Sequence, residues 1–402
     1  MRGSDTTKPA QNSCWRTGAE VGIVAWSMTT LRSTLFLTLT LLAAIPMSTK
    51  GEPFDARGIQ LIPFEGVSGF KKSAGESNNE TILTSREIRT RIHWDELIAS
   101  WNAVMPASAW LKVEVRAIYA NRATKFYTMG LWSGDPARHP RESVRRQKDG
   151  DGDVDTDTLM LQQPADRVQV RLTLGGEPKQ LPKLKFLCLS LLDSKTAPAP
   201  LPPNRAAWGK ALDVPERSQM AYEGGDVWCS PTTISMLLAF WSQRLKRADL
   251  DRDVPEVVKG VFDPKWEGTG NWVFNTAYAG SFRGLRAYTA RLSDVAELED
   301  WIAQGIPVGL SLCYNRLRGK SREPSGHLVV CVGFSQNGDA IINDPGTRQN
   351  VRKVFPRANL IDACAYKNNA VYLIYPEKAR VPKDRFGHWD SATSRQWAAS
   401  NR

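Results

Sequence analysis

The sequence predicts an α+β fold in which an all-β, sandwich-like domain precedes a domain of mixed helices and strands. Between residues 82 and 192, apolar and polar side chains alternate, most regularly at 111–116 and 168–174. A period of two is typical of half-buried antiparallel strands. Residues 294–304 instead carry apolar side chains at helical spacing, and a strand is predicted to begin at Ile306. Strands first, then helices and strands together, indicate two domains.

A proline-rich segment separates the two predicted domains. It favours a semi-rigid, extended linker with few backbone partners, so we expect proteases to cut it readily and the second domain to fold alone. The predicted boundaries are 1–50 for a leader with a signal peptide, 51–193 for the sandwich-like domain, 194–207 for the linker, 208–376 for the mixed domain and 377–402 for a polar C-terminal tail.

The leader has the features of an export signal. Residues 35–45 form an apolar run that follows Arg32 and is too short to span a bilayer comfortably. Met28 is the predicted true start, and residues 47–51 are the best region for cleavage; an uncleaved N-terminal anchor is the alternative. We therefore expect a secreted, periplasmic or cell-envelope protein that meets the membrane only through this segment.

The net charge of the chain indicates the kind of surface that the protein meets, rather than a specific partner. The net charge is +11 and the pI is near 9.4, which suits an anionic surface such as a cell-envelope polymer. Lysine and arginine are scattered rather than clustered, so no nucleic-acid partner is expected. The acidic run at 149–157 lacks the glycine and the glutamate that an EF-hand loop needs, since Val154 and Met160 stand there. We predict a solvated turn, with no metal and no cofactor.

Six cysteines raise the question of disulfides. They stand at positions 14, 188, 229, 313, 331 and 364. Cys313 and Cys331 lie on two predicted strands, 308–314 and 327–334, and can pair if those strands are adjacent. Buried free thiols are the alternative, because a core of this size does not require cross-links.

Cys229 stands where a helix is predicted to begin. Ser230 and Pro231 are helix-start signals, and the apolar run 234–241 follows them. Unpaired N–H groups and the positive end of the helix dipole favour a thiolate at such a position. The sequence therefore predicts a nucleophilic thiol at Cys229.

A hairpin is predicted to supply a base and a residue that orients it. The strand that begins at His327 and the strand 340–344 are joined by an Asn-Gly pair, the signal for a type I′ turn. Residues about equally far from a turn lie opposite each other, so we expect Asp344 to accept a hydrogen bond from the imidazole. Asn343 is the alternative orienter, but strand alternation lets only one of the two face His327.

Gln219 is a candidate for stabilising an oxyanion. It precedes Cys229, and the turn at 223–226 lets the chain fold back between the two residues. Its side-chain amide is then expected to join the backbone N–H of Cys229 in an oxyanion hole.

These residues resemble the papain-like cysteine peptidases of family thirty-nine, the group that includes bacteriocin leader peptidases. The motifs are Gln219, Trp-Cys-Ser-Pro-Thr at Cys229, Gly-His-Leu-Val-Val at His327 and Asn-Asp-Pro at Asp344. These residues resemble more closely the secreted, stand-alone bacterial proteins described as peptidase family thirty-nine-like. The resemblance covers roughly residues 208–376, and more loosely the domain before it.

The resemblance implies a papain-like peptidase domain and a role for each residue. Cys229 would be the nucleophile, His327 the general base, Asp344 the orienter and Gln219 a member of the oxyanion hole. Serine follows the nucleophile here, unlike in better-known members, and no transporter domain is recognised. The leader-peptide substrate is therefore not implied.

Two classes of function are consistent with these expectations. The first is a secreted cysteine peptidase or amide hydrolase, whose partner is a peptide or protein substrate. The second is a cell-envelope binding or adhesion protein, in which the sandwich-like domain binds a polymer and the triad is weak or inactive. In the second case Cys229 and His327 are packing residues. The reactivity of Cys229 distinguishes the two.

Overall fold

The computed structural model describes residues 57–177 and 179–386, all within one compact unit. The predicted signal segment, Met28, Cys14 and residues 387–402 of the predicted tail lie outside the described residues. No helix in the described part of the chain has the length and apolarity needed to cross a membrane.

An antiparallel sheet of nine strands forms the first part of the described chain. Its strands are β1 (Ile59–Phe64), β2 (Lys71–Ala74), β3 (Glu80–Thr84), β4 (Ile88–Val104), β5 (Trp110–Ile118), β6 (Tyr127–Ser133), β7 (Gly152–Asp155), β8 (Thr158–Gly175) and β9 (Lys183–Leu192). The order is β1-β9-β4-β8-β3-β2, with β5 and β7 also paired to β8 and β6 paired to β5. Hydrogen bonds thus join these strands in one sheet. The two packed layers of a sandwich stay a prediction.

The alternation in the sequence reappears as two faces of the β5–β8 pair. Leu111, Val113 and Val115 lie opposite Leu174, Leu172 and Val170, and all six are buried. The other face is polar: Arg171 donates to both carboxylate oxygens of Glu114, at 2.8 and 2.9 Å. A period of two therefore marks an apolar face turned to the core and a face of paired charges.

A second antiparallel sheet of seven strands and six helices forms the rest of the described chain. In chain order the elements are β10 (Lys210–Ala211), α1 (Cys229–Leu245), α2 (Val254–Val261), α3 (Trp272–Ser281), β11 (Leu285–Arg291), α4 (Val295–Ala303), β12 (Val308–Cys313), α5 (Tyr314–Leu317), β13 (Gly326–Phe334), β14 (Ala340–Asn343), β15 (Arg352–Phe355), α6 (Arg357–Ala365) and β16 (Ala370–Pro376). The strand order is β11-β16-β12-β13-β14-β15, and β10 pairs with β13. Helices and two antiparallel sheets confirm the α+β class.

Helix α1 is almost wholly buried on this second sheet. Every residue from Ser230 to Trp241 is buried, including the predicted run 234–241. Ile234 and Leu238 share a core with Val330 of β13 and Leu310 of β12. Burial of this apolar side fixes the helix against the central strands, so its first residue is held beside the sheet.

The hairpin of β13 and β14 differs from its prediction. Its loop is longer than a two-residue turn: Ser335 N donates to Asp339 O at 2.8 Å, and Gly338 N donates to Ser335 O at 3.0 Å. A type I′ turn needs positive φ at both central residues, but Asn337 does not have it while Gly338 has φ +84°. The type I′ prediction is therefore wrong. Glycine instead closes a three-residue loop, for which a left-handed residue at this position is favoured.

The two predicted cysteine partners lie at opposite ends of a strand pair. Strands β12 and β13 are adjacent, as expected, but Cys313 lies opposite Gly326 and Cys331 lies opposite Val308. The rise of a strand separates them by about 17 Å, whereas a disulfide needs Cα atoms within about 7 Å. Both are buried free thiols, so the disulfide alternative is excluded.

Helix α3 joins the two parts of the described chain. Val273, Phe274 and Ala277 belong to the apolar core under the first sheet, and the Phe274 ring centroid lies 6.2 Å from that of Trp101 and 5.2 Å from that of Trp132. The helix begins where Asp157 of the first part accepts a hydrogen bond from Trp272 N at 2.7 Å. One element of the second part thus completes the core of the first.

The sheets are also joined by hydrogen bonds. The side chain of Asn102 on β4 accepts from Ala287 N (3.0 Å) and donates to Ala287 O (2.6 Å) on β11. Two strand positions further along β11, Ser100 Oγ accepts from Thr289 N at 3.0 Å. The side chains of β4 thus make the hydrogen bonds to β11 that the backbone of a neighbouring strand would otherwise make.

The proline-rich segment 194–207 makes hydrogen bonds to the first sheet and to the second part of the chain. Ser194 donates through N and Oγ to Asp95, at 2.8 and 2.6 Å. Further along, Leu201 N donates to Asp294 and Asn204 N to Glu299, at 3.1 and 2.7 Å. The backbone that was expected to lack partners is therefore held at several points, although the predicted domain boundaries stay a prediction.

Candidate active site

Cys229 is the first residue of α1 and is partly exposed. The first hydrogen bond of the helix runs from Thr232 N to Trp228 O at 3.0 Å, so the N–H groups of Cys229 and Ser230 precede the helical ladder. The backbone N–H groups of Ser230 and Leu328 help to lower the pKa of the thiol. A negative sulfur is thus met by backbone donors at a positive helix end.

His327 promotes ionisation of the Cys229 thiol. Burial opposes ionisation of the thiol, but a hydrogen bond from His327, its positive charge and the two backbone N–H groups together lower the pKa of Cys229. The effect is mutual. Burial alone would lower the pKa of His327, but hydrogen bonds to Asp344 and Cys229 raise it to about 9. The pair therefore favours a thiolate beside an imidazolium at neutral pH.

His327 lies near the start of β13, opposite Leu312 of β12, and only 7% of it is exposed. Its Nε2 is 2.8 Å from Asp344 Oδ1. Because that nitrogen faces the carboxylate, Nδ1 is left for the thiol. Pairing with β12 and burial give the imidazole little freedom to move.

Asp344 is fully buried and both of its carboxylate oxygens have partners. Oδ1 accepts from His327 Nε2 and from Gly346 N, at 2.8 and 3.0 Å. Oδ2 accepts from the Tyr314 hydroxyl at 2.6 Å and lies 3.8 Å from Lys353 Nζ. Burial would raise the pKa of Asp344, but the hydrogen bonds and the charge of His327 lower it, so the carboxylate stays ionised.

The reason for this contact differs from the one that the sequence suggested. In the hairpin, Asn343 lies opposite Val330, and the register shifts at a bulge between Cys331 and Gly333. Asp344 is thus not directly opposite His327. It reaches the imidazole because β14 ends at Asn343 and the chain then turns across the end of β13.

A side chain would fit tightly at Gly346 in that turn. A Cβ on Gly346 would lie 3.1 and 3.2 Å from two atoms of the His327 ring. Asn343, the alternative orienter, is engaged elsewhere: it donates to Val214 O at 3.1 Å and accepts from Arg352 Nε at 3.0 Å. Of the two candidates, the structure brings only Asp344 to the imidazole.

Gln219 is buried between the nucleophile and the Asp344 turn. Its backbone N donates to Pro345 O at 3.0 Å, and its side-chain Nε2 donates to Gly225 O and Asp226 O at 2.8 and 2.9 Å. Gln219 therefore braces the turn that precedes Cys229. Both amide hydrogens are used there, so the oxyanion role stays a prediction.

The sequence interpretation missed Tyr314. Its ring centroid lies 4.3 Å from that of His327, and its hydroxyl bonds Asp344. A signal was available, because Tyr314 directly follows β12, the strand that pairs with the histidine strand. A residue at the end of a neighbouring strand is a natural contact for one near the start of β13.

The acidic run at 149–157 is engaged in ion pairs. Lys125 lies 2.9 Å from Asp149, and Arg122 lies 2.6 Å from Asp151. Within the described ranges, no group of three or more histidine, cysteine, aspartate or glutamate side chains could hold a metal ion.

Cys229 lies at a helix end beside a histidine on an antiparallel sheet. This arrangement suits the class of enzymes that use a cysteine as nucleophile. Residues 211–372 match the Peptidase C39 like family, and residues 67–189 match the Peptidase C39 N-terminal domain. None of the curated proteins matches the chain. Together the two matches support a C39-like family of papain-like cysteine peptidases. That family implies a papain-like fold for the second part and suggests a hydrolase of the cysteine peptidase type.

Proposed function

We propose that the protein is a secreted cysteine peptidase or amide hydrolase that cleaves peptide bonds with Cys229, His327 and Asp344 as its triad. One observation carries the proposal: His327 Nε2 is 2.8 Å from Asp344 Oδ1, and His327 in turn lowers the pKa of the Cys229 thiol. Nucleophile, base and orienter are thus coupled one to the next. Both family matches support the same class.

The reaction would proceed in two halves. The Cys229 thiolate attacks the carbonyl carbon and the carbonyl oxygen becomes an oxyanion. The C–N bond then breaks as the imidazolium of His327 gives its proton to the departing amine, which leaves a thioester. In the second half, His327 takes a proton from water, the hydroxide attacks the thioester, and the thiolate leaves as the acid is released.

The oxyanion would be stabilised by backbone N–H groups at the start of α1. The N–H of Cys229 has no acceptor within the helix and lies next to the sulfur. Gln219 is the proposed second donor. To serve, its amide must exchange one of its bonds to Gly225 O or Asp226 O for the oxyanion.

The proposed partners follow from the sequence. A peptide or protein is the substrate, and the first sheet is the proposed contact with a cell-envelope polymer. The apolar run at 35–45 and the net charge of +11 support export to an anionic surface. The adhesion alternative, in which the triad is inactive, receives no support from a thiol whose pKa is lowered.

Thiol labelling tests the proposal without knowledge of the substrate. We expect iodoacetamide to label Cys229 quickly at neutral pH, with a midpoint below the value of about 8.5 for an ordinary cysteine. In His327→Ala the midpoint should rise, because burial then acts without the imidazolium that lowers the pKa of the thiol. Labelling that is slow at neutral pH and unchanged by His327→Ala would favour the inactive binding protein.

A peptide-library cleavage screen, with Cys229→Ala as its control, tests peptidase activity itself. We expect cleavage at defined positions by the exported form and none by the variant. Cleavage that survives in Cys229→Ala would come from a contaminant. Fast labelling without any cleavage would mean that the acyl group or its acceptor is of another kind.

The orienter can be tested with the best peptide from that screen. Asp344→Asn should lower kcat/KM by about 10- to 10⁴-fold, because an amide can select the wrong tautomer of the histidine. Asn343→Ala should do much less, since Asn343 bonds Val214 and Arg352 rather than His327. Reversed effects would show that Asn343 is the orienter. Thermal unfolding of both variants separates these losses from loss of fold.

A further inference from the structure

Two groups approach the same oxygen of Asp344. The Tyr314 hydroxyl donates to Oδ2 at 2.6 Å, and the Lys353 ammonium is 3.8 Å from it. The ammonium is the stronger attraction for a buried carboxylate once it comes into direct contact. Lys353 is 34% exposed on the edge strand β15 and has room to move. The contact with His327, by contrast, depends on the other oxygen, Oδ1.

Tyr314 is held rigidly where it competes with this lysine. Its backbone N donates to Ser325 O at 2.7 Å, which closes the loop that leads back to His327. Its ring lies against the His327 ring, and the Arg318 guanidinium carbon is 3.9 Å from its ring centroid. Packing and stacking therefore aim the hydroxyl at Asp344.

We propose that Tyr314 is a positioning residue that holds the Asp344 carboxylate against His327 in competition with Lys353. The proposal rests on the function proposed above, in which Asp344 orients His327. The charged or titratable groups that surround this carboxylate are His327, Lys353 and, across the two rings, Cys229 and Arg318. Of these, Lys353 is the cation that would draw the carboxylate away from the imidazole.

Tyr314→Phe removes the hydroxyl and keeps the ring. The carboxylate then rotates toward Lys353, the bond from Nε2 to Oδ1 weakens, and the imidazolium loses support. Since Asp344 and Cys229 together raise the pKa of His327 to about 9, weakening the bond to Asp344 must lower that pKa. We expect a fall of about one pH unit and a loss of about tenfold in kcat/KM, the size of one hydrogen bond to a charged group.

The measurement is an NMR titration of the histidine rings, in a chain that has only four histidines. The His327 signal is assigned by its loss in His327→Gln. Tyr119→Phe is the matched control, because the Tyr119 hydroxyl donates to Gln163 O at 2.7 Å in the first part of the chain. We expect no change in the His327 titration there. Circular dichroism shows whether each variant keeps its fold.

Lys353→Met provides the decisive comparison. In the double variant Tyr314→Phe, Lys353→Met, nothing draws the carboxylate away, so the His327 pKa should return to that of Lys353→Met alone. An unchanged or higher His327 pKa in Tyr314→Phe would overturn the proposal, as would a double variant displaced as far as Tyr314→Phe. The titration does not require turnover, so it remains decisive if the peptidase function itself fails in the cleavage screen.

Discussion

Replacing Cys229 by serine is expected to abolish turnover and leave the fold unchanged. A serine hydroxyl at a helix end is far from ionised at neutral pH, whereas a cysteine begins near a pKa of about 8.5 and is lowered further here by His327. Serine has the same shape as cysteine and position 229 is partly exposed, so α1 should pack as before. Hydrolysis of the best library peptide is the measurement, with circular dichroism for the fold.

The control for this substitution is another cysteine. Cys364 on α6 is buried, and burial raises its pKa to about 12, so its thiol is unreactive. Cys364→Ala should keep turnover, with some loss of stability from the space left in the core. Residual activity above about a tenth in Cys229→Ser would contradict a nucleophilic Cys229.

Removing the first sheet is expected to unfold the rest. The sequence predicted that a fragment of residues 204–376 folds alone, but in the structure Val273, Phe274 and Ala277 of α3 lie in the core of the first sheet. Exposing Phe274 and Val273 costs about 1.5–3 kcal/mol for each side chain. Lost hydrogen bonds at Ala287 and Trp272 add to this. The sum is comparable with the whole stability of a domain, about 5–15 kcal/mol.

We therefore expect the fragment to be insoluble or to lack a cooperative unfolding transition, and the full chain to unfold in one step. Phe274→Ala in the full chain is the milder companion test, with an expected loss of about 3–5 kcal/mol in the free energy of unfolding. Denaturant unfolding measures both. A soluble fragment that unfolds at the same denaturant concentration as the full chain would restore the picture of two independent modules.

Local patterns in the sequence were sufficient for much of the second part. Ser230 and Pro231 predicted the start of α1 at Cys229, and the β-branched runs predicted β12 to within two residues and β13 to within one residue at each end. These features depend on neighbours in the chain, such as helix-start residues and the spacing of apolar side chains. For that reason Cys229 and His327 were assigned to the right elements.

What the sequence did not reveal depends on distant contacts. The bulge at Cys331 and the turn at Gly346 set where Asp344 lies, and neither follows from strand alternation. Tyr314 meets Asp344 across a separation of 30 positions in the chain. The proline-rich segment was expected from its composition to lack partners, and the residues that hold it, Asp95, Asp294 and Glu299, are far from it in sequence.

Helix α3 also has a consequence for how such proteins can diverge. Its residues 273, 274 and 277 serve the first core, while Ala279 on the same helix serves the second. A homologous peptidase that had lost the preceding sheet would expose an apolar patch of valine and phenylalanine to water, which selection against aggregation disfavours. We expect such homologues to carry polar residues at the positions of Val273 and Phe274. Where the sheet is retained, these positions should covary with those of Trp101 and Trp132 instead.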